Sequence, residues 1–387
     1  MVRSGRAERQ NDKAIRVVLE SAIRGSSAPT ELDLIDADSL ALASAAHGLD
    51  HVLLGWLAHS SPKHPAVTAL MVRSQAAAIF NIQVLAALQT VLDVIGPEIP
   101  FAVFKGPVLA HLVGTKHVRP YGDLDLMVAP QHFETVFDRL VSIGATPFPE
   151  GSWQSSLVTE HAQIPLVLSF GVGLDLHAHL CSRPQLRSAF SIDSAARLLE
   201  RRRSMDIGIA DVPVLGLEDM VLHTVAHAGW SGGDRLGWLI DTDAVVRSGD
   251  VDWDIASERA RSWGIEMHFH DVLRRTVALL GTDVPREVLA RSGGRSTSLV
   301  RLADRFEASR GLPRERAFAR ILRSDLRQDL RSTVLALAGR YGAAADRRIS
   351  IFDRNGKNES ITAPTPMPDE HAKVDYLAFI ASLDHAG

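Results

Sequence analysis

Apolar positions along Ala66–Ile95 fall close to the 3.6-residue rhythm of a helix face, through Leu70, Ala77, Ile82, Leu85, Leu88, Leu92 and Ile95. Residues 39–58 are rich in Ala and Leu, so the first hundred residues read as helical. Pro97 and Pro100 stop that pattern, and the texture changes. Phe101-Ala102-Val103-Phe104 is a short apolar run, read as a strand, and Pro107 suits the first turn of a helix reaching Val113. Residues 114–122 read as a loop. Asp123-Leu124-Asp125-Leu126-Met127-Val128 then begins in strict alternation, as a half-buried strand does. Pro130 opens a helix carrying Phe133, Val136, Phe137 and Leu140 on one face, and Gly144 stops it. Residues 166–170 and 174–180 are expected to be two strands joined by Gly171-Val172-Gly173. From Leu217 onward helices return, at 217–229, 234–248, 252–263 and 266–281, with further ones at 325–339 and 373–383. Ser231-Gly232-Gly233 and Ser292-Gly293-Gly294 read as turns, and 364–368 as a loop. No internal repeat and no Walker-type phosphate loop is present.

The fold class that follows is α+β: a small mixed sheet between helical N-terminal and C-terminal regions, with boundaries at 1–97, 98–215 and 216–387. A length of 387 residues with 46% apolar side chains suffices for two or three compact units. The formal net charge of −4 disfavours a broad nucleic-acid surface, while a small nucleotide needs only a few local cations. Cys181 is the sole cysteine, so neither an internal disulfide nor a thiolate zinc cluster can form. No signal-peptide pattern opens the chain and no apolar stretch reads as long enough to span a bilayer, so a cytoplasmic enzyme without a membrane partner is the expectation.

Asp123 and Asp125 project to the same side of their strand. Two adjacent carboxylates repel, and each is costly to bury unpaired. A divalent cation resolves the conflict, and hard oxygen ligands suit Mg²⁺, with Mn²⁺ as a substitute. Two surface aspartates on a solvated edge are the plain alternative. Asp175 weighs against it, because Leu174-Asp175-Leu176-His177-Ala178-His179-Leu180 is a second alternating run with Asp175, His177 and His179 on one face. Three carboxylates around two metal ions suit in-line phosphoryl or nucleotidyl transfer. Asp123 and Asp125 would bridge the metals, and Asp175 would hold the nucleophile side and accept the acceptor's proton. Lys105 and Gly106 supply the phosphate side: a point charge, close backbone approach, and a helix start. Arg119 reads equally as a phosphate contact or as the partner of a structural carboxylate. Arg201-Arg202-Arg203 reads as a solvated basic face.

Phe104-Lys105-Gly106-Pro107-Val108-Leu109, Arg119-Pro120-Tyr121-Gly122-Asp123-Leu124-Asp125-Leu126-Met127-Val128 and Leu174-Asp175-Leu176-His177 together resemble the Lys-Gly branch of uncharacterised nucleotidyltransferases in the polymerase-beta-like superfamily. The resemblance covers residues 101–180 well and continues more weakly through His223-Thr224-Val225-Ala226-His227 and Arg235-Leu236-Gly237-Trp238-Leu239-Ile240-Asp241; nothing after about 248 adds to it. It implies a small mixed sheet flanked by helices, an NTP and Mg²⁺ as co-substrates, and pyrophosphate as by-product. Most of the superfamily carries Gly-Ser where this chain has Lys105-Gly106, so here charge replaces a hydroxyl contact to phosphate.

His223 and His227 share a helix face, with Arg235, Trp238 and Asp241 on the next helix. These residues either close over base, sugar or acceptor, or form a packed helix pair in which Asp241 simply pairs with Arg235. A competing metal reading joins His177-x-His179 and His223-x₃-His227, with Asp241 or Asp175, as a zinc or iron centre that activates water for hydrolysis. A third reading is a nucleotide-binding module without catalysis. The acceptor is a small molecule or a peptide or protein side chain in preference to RNA.

Overall fold

Helices α1 (Ser4–Arg24), α2 (Ala37–His47), α3 (Asp50–Ser60) and α4 (Ala66–Ile95) form the N-terminal region of a computed structural model that describes residues 4–114, 118–147, 153, 160–231, 235–290 and 370–383. The expectations at 325–339, 364–368 and Ser292-Gly293-Gly294 lie outside these residues. The Ala- and Leu-rich stretch at 39–58 is helical as expected and divides between α2 and α3. Asp36 caps α2 by accepting from the Ser39 N–H, and Gly48 ends it at φ +69°.

The core follows as β1 (Phe101–Val103), α5 (Gly106–Val113), β2 (Asp123–Val128), α6 (Pro130–Ser142), β3 (Thr146–Pro147), β4 (Gln163–Val167) and β5 (Gly173–His177). Next come α7 (Pro184–Ala189), α8 (Ala195–Glu200), β6 (Arg203–Asp206) and β7 (Asp211–Val214). The seven strands make one mixed sheet in the order β3-β4-β5-β2-β1-β7-β6. β2 is antiparallel to β1 and parallel to β5, and β1 runs parallel to β7. Helices α9 (Leu217–Trp230), α10 (Leu236–Arg247), α11 (Trp253–Trp263), α12 (Glu266–Leu280), α13 (Arg286–Ala290) and α14 (Glu370–Ser382) complete the described chain. The α+β class with a mixed sheet is therefore as expected.

Three sequence readings are corrected. The strand carrying Asp175 ends at His177 and does not reach Leu180, so His179 leaves the alternation; its Nδ1 accepts from the Cys181 N–H instead. The β6–β7 hairpin was not anticipated. Arg201, just before it, is not on a solvated face: it donates to Asp219 at 2.8 Å and to Asp193 at 2.7 Å, and Asp219 is fully buried and shared with Arg259. Third, α4 does have the length and apolar composition of a membrane-crossing segment, with a mean hydropathy of 1.7 and 28% of that window buried. Two of its polar residues are tied into the fold, Arg73 to Asp50 and Asn81 to the Arg119 carbonyl, while Val72, Ile79 and Ile82 are exposed.

Buried apolar residues from Ile15 to Ile380 form one contiguous cluster. α10 packs on α5, and α9 packs on α10 and α12, so the helices that follow the sheet cover the end where β1 hands over to α5. That arrangement leaves a cleft between the sheet and α9–α10, and the carboxylates face it.

Candidate functional site

Parallel pairing of β2 with β5 sets Asp125 directly opposite Asp175 and Asp123 opposite Gly173. Because side chains alternate, Leu124, Leu126, Leu174 and Leu176 point into the core, each 2% exposed or less. Asp123, Asp125 and Asp175 are left on the opposite face, where Asp123 is exposed, Asp175 half-buried and Asp125 buried. His177 lies two residues beyond Asp175 and places Nε2 3.1 Å from Asp125 Oδ1. Donor atoms of Asp125, Asp175 and His177 all lie within 4.8 Å of one another. Among the described residues no other set of three or more His, Cys, Asp or Glu donors meets that condition. The four-histidine zinc or iron reading thus does not assemble. Two carboxylates and an imidazole at this spacing fit a divalent cation.

Lys105 provides positive charge at the same place, with Nζ 2.8 Å from Asp125 Oδ1. Burial opposes the charge on Lys105, but the Asp125 carboxylate outweighs it and raises the ammonium's pKa. The converse holds for Asp125: burial disfavours ionisation, yet Lys105 and His177 keep it well below the usual carboxylate range. Asp123 moves the other way: the residue is exposed overall, but its carboxylate faces the cleft, where desolvation and the neighbouring charges of Asp125 and Asp175 push it up to about 6. Asp175 is raised chiefly by burial, although Gln163 Nε2 donates to its Oδ2 at 3.0 Å. One carboxylate of the three is neutralised within the protein, and the other two hold their charge at a cost.

Gly106 explains why the lysine can sit there. Its φ is +42°, and a Cβ at this position would lie 2.7 Å from the Asp123 carbonyl oxygen. Only a residue without a side chain lets the start of α5 approach the start of β2 so closely. The Phe104 N–H also donates to the Asp125 carbonyl, which fixes the preceding strand end. The N-terminal turn of α5 therefore opens beside the carboxylates.

Arg119 binds Asp241 through two bonds, Nε to Oδ1 at 2.7 Å and Nη2 to Oδ2 at 2.6 Å. Of its two readings, the structure realises the carboxylate partner, and Asp241 pairs with Arg119 in place of Arg235. The Arg235 guanidinium instead lies over the Trp238 ring, 5.6 Å from its centroid. These residues line a cavity of about 600 Å³ that also meets Lys105, the three aspartates, His223 and His227. His227 packs edge-on against Trp238, and His223 against Phe104. Burial, reinforced by the Lys105 charge, lowers the pKa of both histidines, that of His227 to about 3, so they line the cavity as neutral rings.

Several neighbours of this site were not anticipated. Gly48 and His51, from the turn between α2 and α3 and from α3, reach its wall, and nothing local in their sequence marks them. Asn81 on α4 donates to the Arg119 carbonyl at 3.0 Å. Gln163 sits opposite His177 in the β4–β5 register, and the alternation of its strand was the available signal. Cys181 is buried, and burial pushes its thiol far up, which suits an inert core position.

A family model described as uncharacterised nucleotidyltransferase matches residues 33–281. The match runs from the 3₁₀ turn Thr30–Leu34 to the end of α12, so it includes every strand and all the cavity walls. It reaches further in both directions than the resemblance legible from the motifs. A search among curated proteins returns no match.

Proposed function

The chain belongs to the family of uncharacterised nucleotidyltransferases, and from that premise we propose that it moves an NMP group from an NTP onto an acceptor hydroxyl. In this reaction the acceptor oxygen bonds to the α-phosphorus, the bond from that phosphorus to the β-phosphate-side oxygen breaks, and pyrophosphate leaves. The observation that carries the reading is the β2–β5 register, which sets Asp175 opposite Asp125 and on the same face as Asp123. Asp123, Asp125 and Asp175 would hold a divalent cation, which would supply charge neutralisation for the triphosphate and activation of the attacking oxygen. Asp175 takes the acceptor's proton. Lys105, Gly106 and the N-terminal turn of α5 receive phosphate oxygens. Arg119 holds Asp241 and with it the far wall of the cavity. His177, His227, Arg235 and Asp241 border the space left for base, sugar or acceptor.

On this reading the protein is a Lys-Gly member of the polymerase-beta-like superfamily acting in the cytoplasm. Residues 98–215 form the catalytic unit, flanked by helical regions at 1–97 and 216–387. Small-molecule and peptide or protein hydroxyls are favoured over RNA, because the −4 net charge provides no broad basic surface. The test is to incubate purified protein with each α-labelled NTP, Mg²⁺ or Mn²⁺, and panels of hydroxyl acceptors, scoring pyrophosphate release and label transfer. Wild type is expected to release pyrophosphate, and Asp123→Asn and Asp125→Asn to lose release while still binding NTP. A folded wild type that releases none with any NTP or acceptor class sinks the proposal.

A further inference from the structure

We propose that Arg235 receives an anionic group, a carboxylate or a phosphate, that the acceptor carries beside the hydroxyl to be modified. The inference rests on the transfer reading above and narrows its acceptor to acidic hydroxyl compounds.

Among the described residues three cationic side chains line the cavity: Lys105, Arg119 and Arg235. Two are already matched, Lys105 to Asp125 at 2.8 Å and Arg119 to Asp241 through two bonds. The Arg235 guanidinium has neither a hydrogen bond nor an ion pair among the described residues and lies over the Trp238 ring. A half-buried charge without a counter-charge is costly, and an incoming anion recovers that cost. The arginine is nevertheless held in place. The Leu236 N–H donates to His47 Nδ1 at 3.3 Å, and a Cβ at Gly237 would lie 2.6 Å from the His47 carbonyl oxygen, so the start of α10 sits tight on the end of α2. Gly48, having no side chain, leaves the space that Arg235 Nη2 occupies. A guanidinium fixed in this way offers the cavity a fork of donors that matches carboxylate or phosphate oxygens.

Position separates this anion from the triphosphate. Lys105 Nζ lies over Phe104, 5.1 Å from the ring centroid. A series of ring contacts leads from there to α10: Phe104 to His223 at 5.1 Å, His223 to His227 at 6.0 Å and His227 to Trp238 at 5.2 Å, with the Arg235 guanidinium 5.6 Å from the last ring. Both histidines are neutral, so the wall between the two cations carries no charge. Burial opposes the Arg235 charge, and the neighbouring charges that act on it are those of Asp241 and Arg119. An NTP has its negative charge in the triphosphate, which Lys105 and the α5 turn receive at one end of the series. Its base and sugar are uncharged, so an anion at the other end comes from the second substrate.

The test is a calorimetric titration of full-length protein, saturated with a non-hydrolysable NTP and Mg²⁺, with inorganic phosphate and with malonate. At least one of these anions is expected to bind. Arg235→Gln should weaken that binding about tenfold or more and leave NTP affinity within about twofold. Arg235→Lys, which keeps the charge and loses the fork, should fall between. In wild type the bound anion should also protect Arg235 from phenylglyoxal, as located by peptide mass spectrometry, and this readout stands even if a variant does not fold. Binding of neither anion, equal binding by wild type and Arg235→Gln, or no protection overturns the inference and leaves the transfer reading standing. A tenfold loss of NTP affinity in Arg235→Gln also overturns it, because the arginine then serves the nucleotide. Failure of wild type to bind any NTP with Mg²⁺ or Mn²⁺ overturns both.

Discussion

Lys105 is the residue on which the electrostatics of the site turn. Asp125 is buried, and its positive neighbours are Lys105 at 2.8 Å and, when protonated, His177. Removing one partner of a buried pair costs about 3–5 kcal/mol, and the partial exposure of Lys105 places this case near the lower end. Lys105→Met is expected to lower stability by about 3 kcal/mol in urea unfolding. Added Mn²⁺ should restore more stability to the variant than to wild type, because it replaces a charge that wild type already has. A second residue-scale prediction concerns pH. His179 is lowered to about 4 and His227 to about 3, both mainly by burial, and His223 lies well below its usual value. All three folded values lie below the unfolded one, so the unfolded chain binds more protons as pH falls through about 6.5. The stability they confer is complete above about 6.5 and is lost as pH drops toward the folded values, by about 1.4 kcal/mol per pH unit for each ring. Asp123 and Asp175, both raised, take up protons in the folded state and offset part of this loss; denaturation midpoints measured from pH 7.5 to 5 should still fall, and His227→Gln should flatten the slope by about one proton. The shared face of Asp123 and Asp125, and the position of Asp175 in a second alternating run, were legible in the sequence because alternation reports which side chains share a face, and Lys105 was legible from its place between a strand end and a helix start. Asn81 and His51 were not, because their importance comes from where other segments pass them.

At the scale of elements, the site depends on how closely α5 approaches β2. Gly106→Ala puts a Cβ 2.7 Å from the Asp123 carbonyl at a residue whose φ is +42°. The strained conformation and the overpacking are expected to cost about 1–3 kcal/mol. The relaxed backbone should also weaken NTP binding, since the lysine and the helix start move together; thermal melting and calorimetric titration read the two effects separately. Sequence patterning located β1, β2, α6 and the helices α9 to α12 within a few residues, because each carries one dominant period and a clear stop. The β6–β7 hairpin escaped because Arg203, Asp206, Asp211 and Pro213 leave only a weak alternation of Met205 with Val212 and Val214. The strand after Gly173 was read too long because Ala178 and Leu180 continue its apolar rhythm as buried residues after the pairing has ended.

Across the whole molecule, the cavity joins distant stretches: Gly48 and His51, the β1–β2 region, Asp175, and α9–α10. The last described helix behaves similarly on the other side of the fold. Tyr376 on α14 is fully buried against Phe133 and Trp153, and its hydroxyl donates to the His161 carbonyl at 2.7 Å. Lys373 lies 3.2 Å from Glu134 and 3.4 Å from Asp138 on α6. Tyr376→Ala should cost about 3–5 kcal/mol, whereas Lys373→Ala should cost under about 1 kcal/mol, since its acidic partners are exposed. Paired chemical denaturation curves would distinguish them. The short α14 was legible as a docking helix; its seat on α6 was not, because no local pattern names a partner more than 200 residues away. The same long-range wiring has a consequence measured in time. β1 is an interior strand of the sheet, between β2 and β7, with Val103 beside Val214. Roughly 110 residues separate these two, on the order of 5–20 s of ribosomal synthesis. For that interval Phe101-Ala102-Val103 is a sheet edge still awaiting its outer neighbour, so the strand that delivers Lys105 to the carboxylates is also where a nascent chain is most open to mispairing.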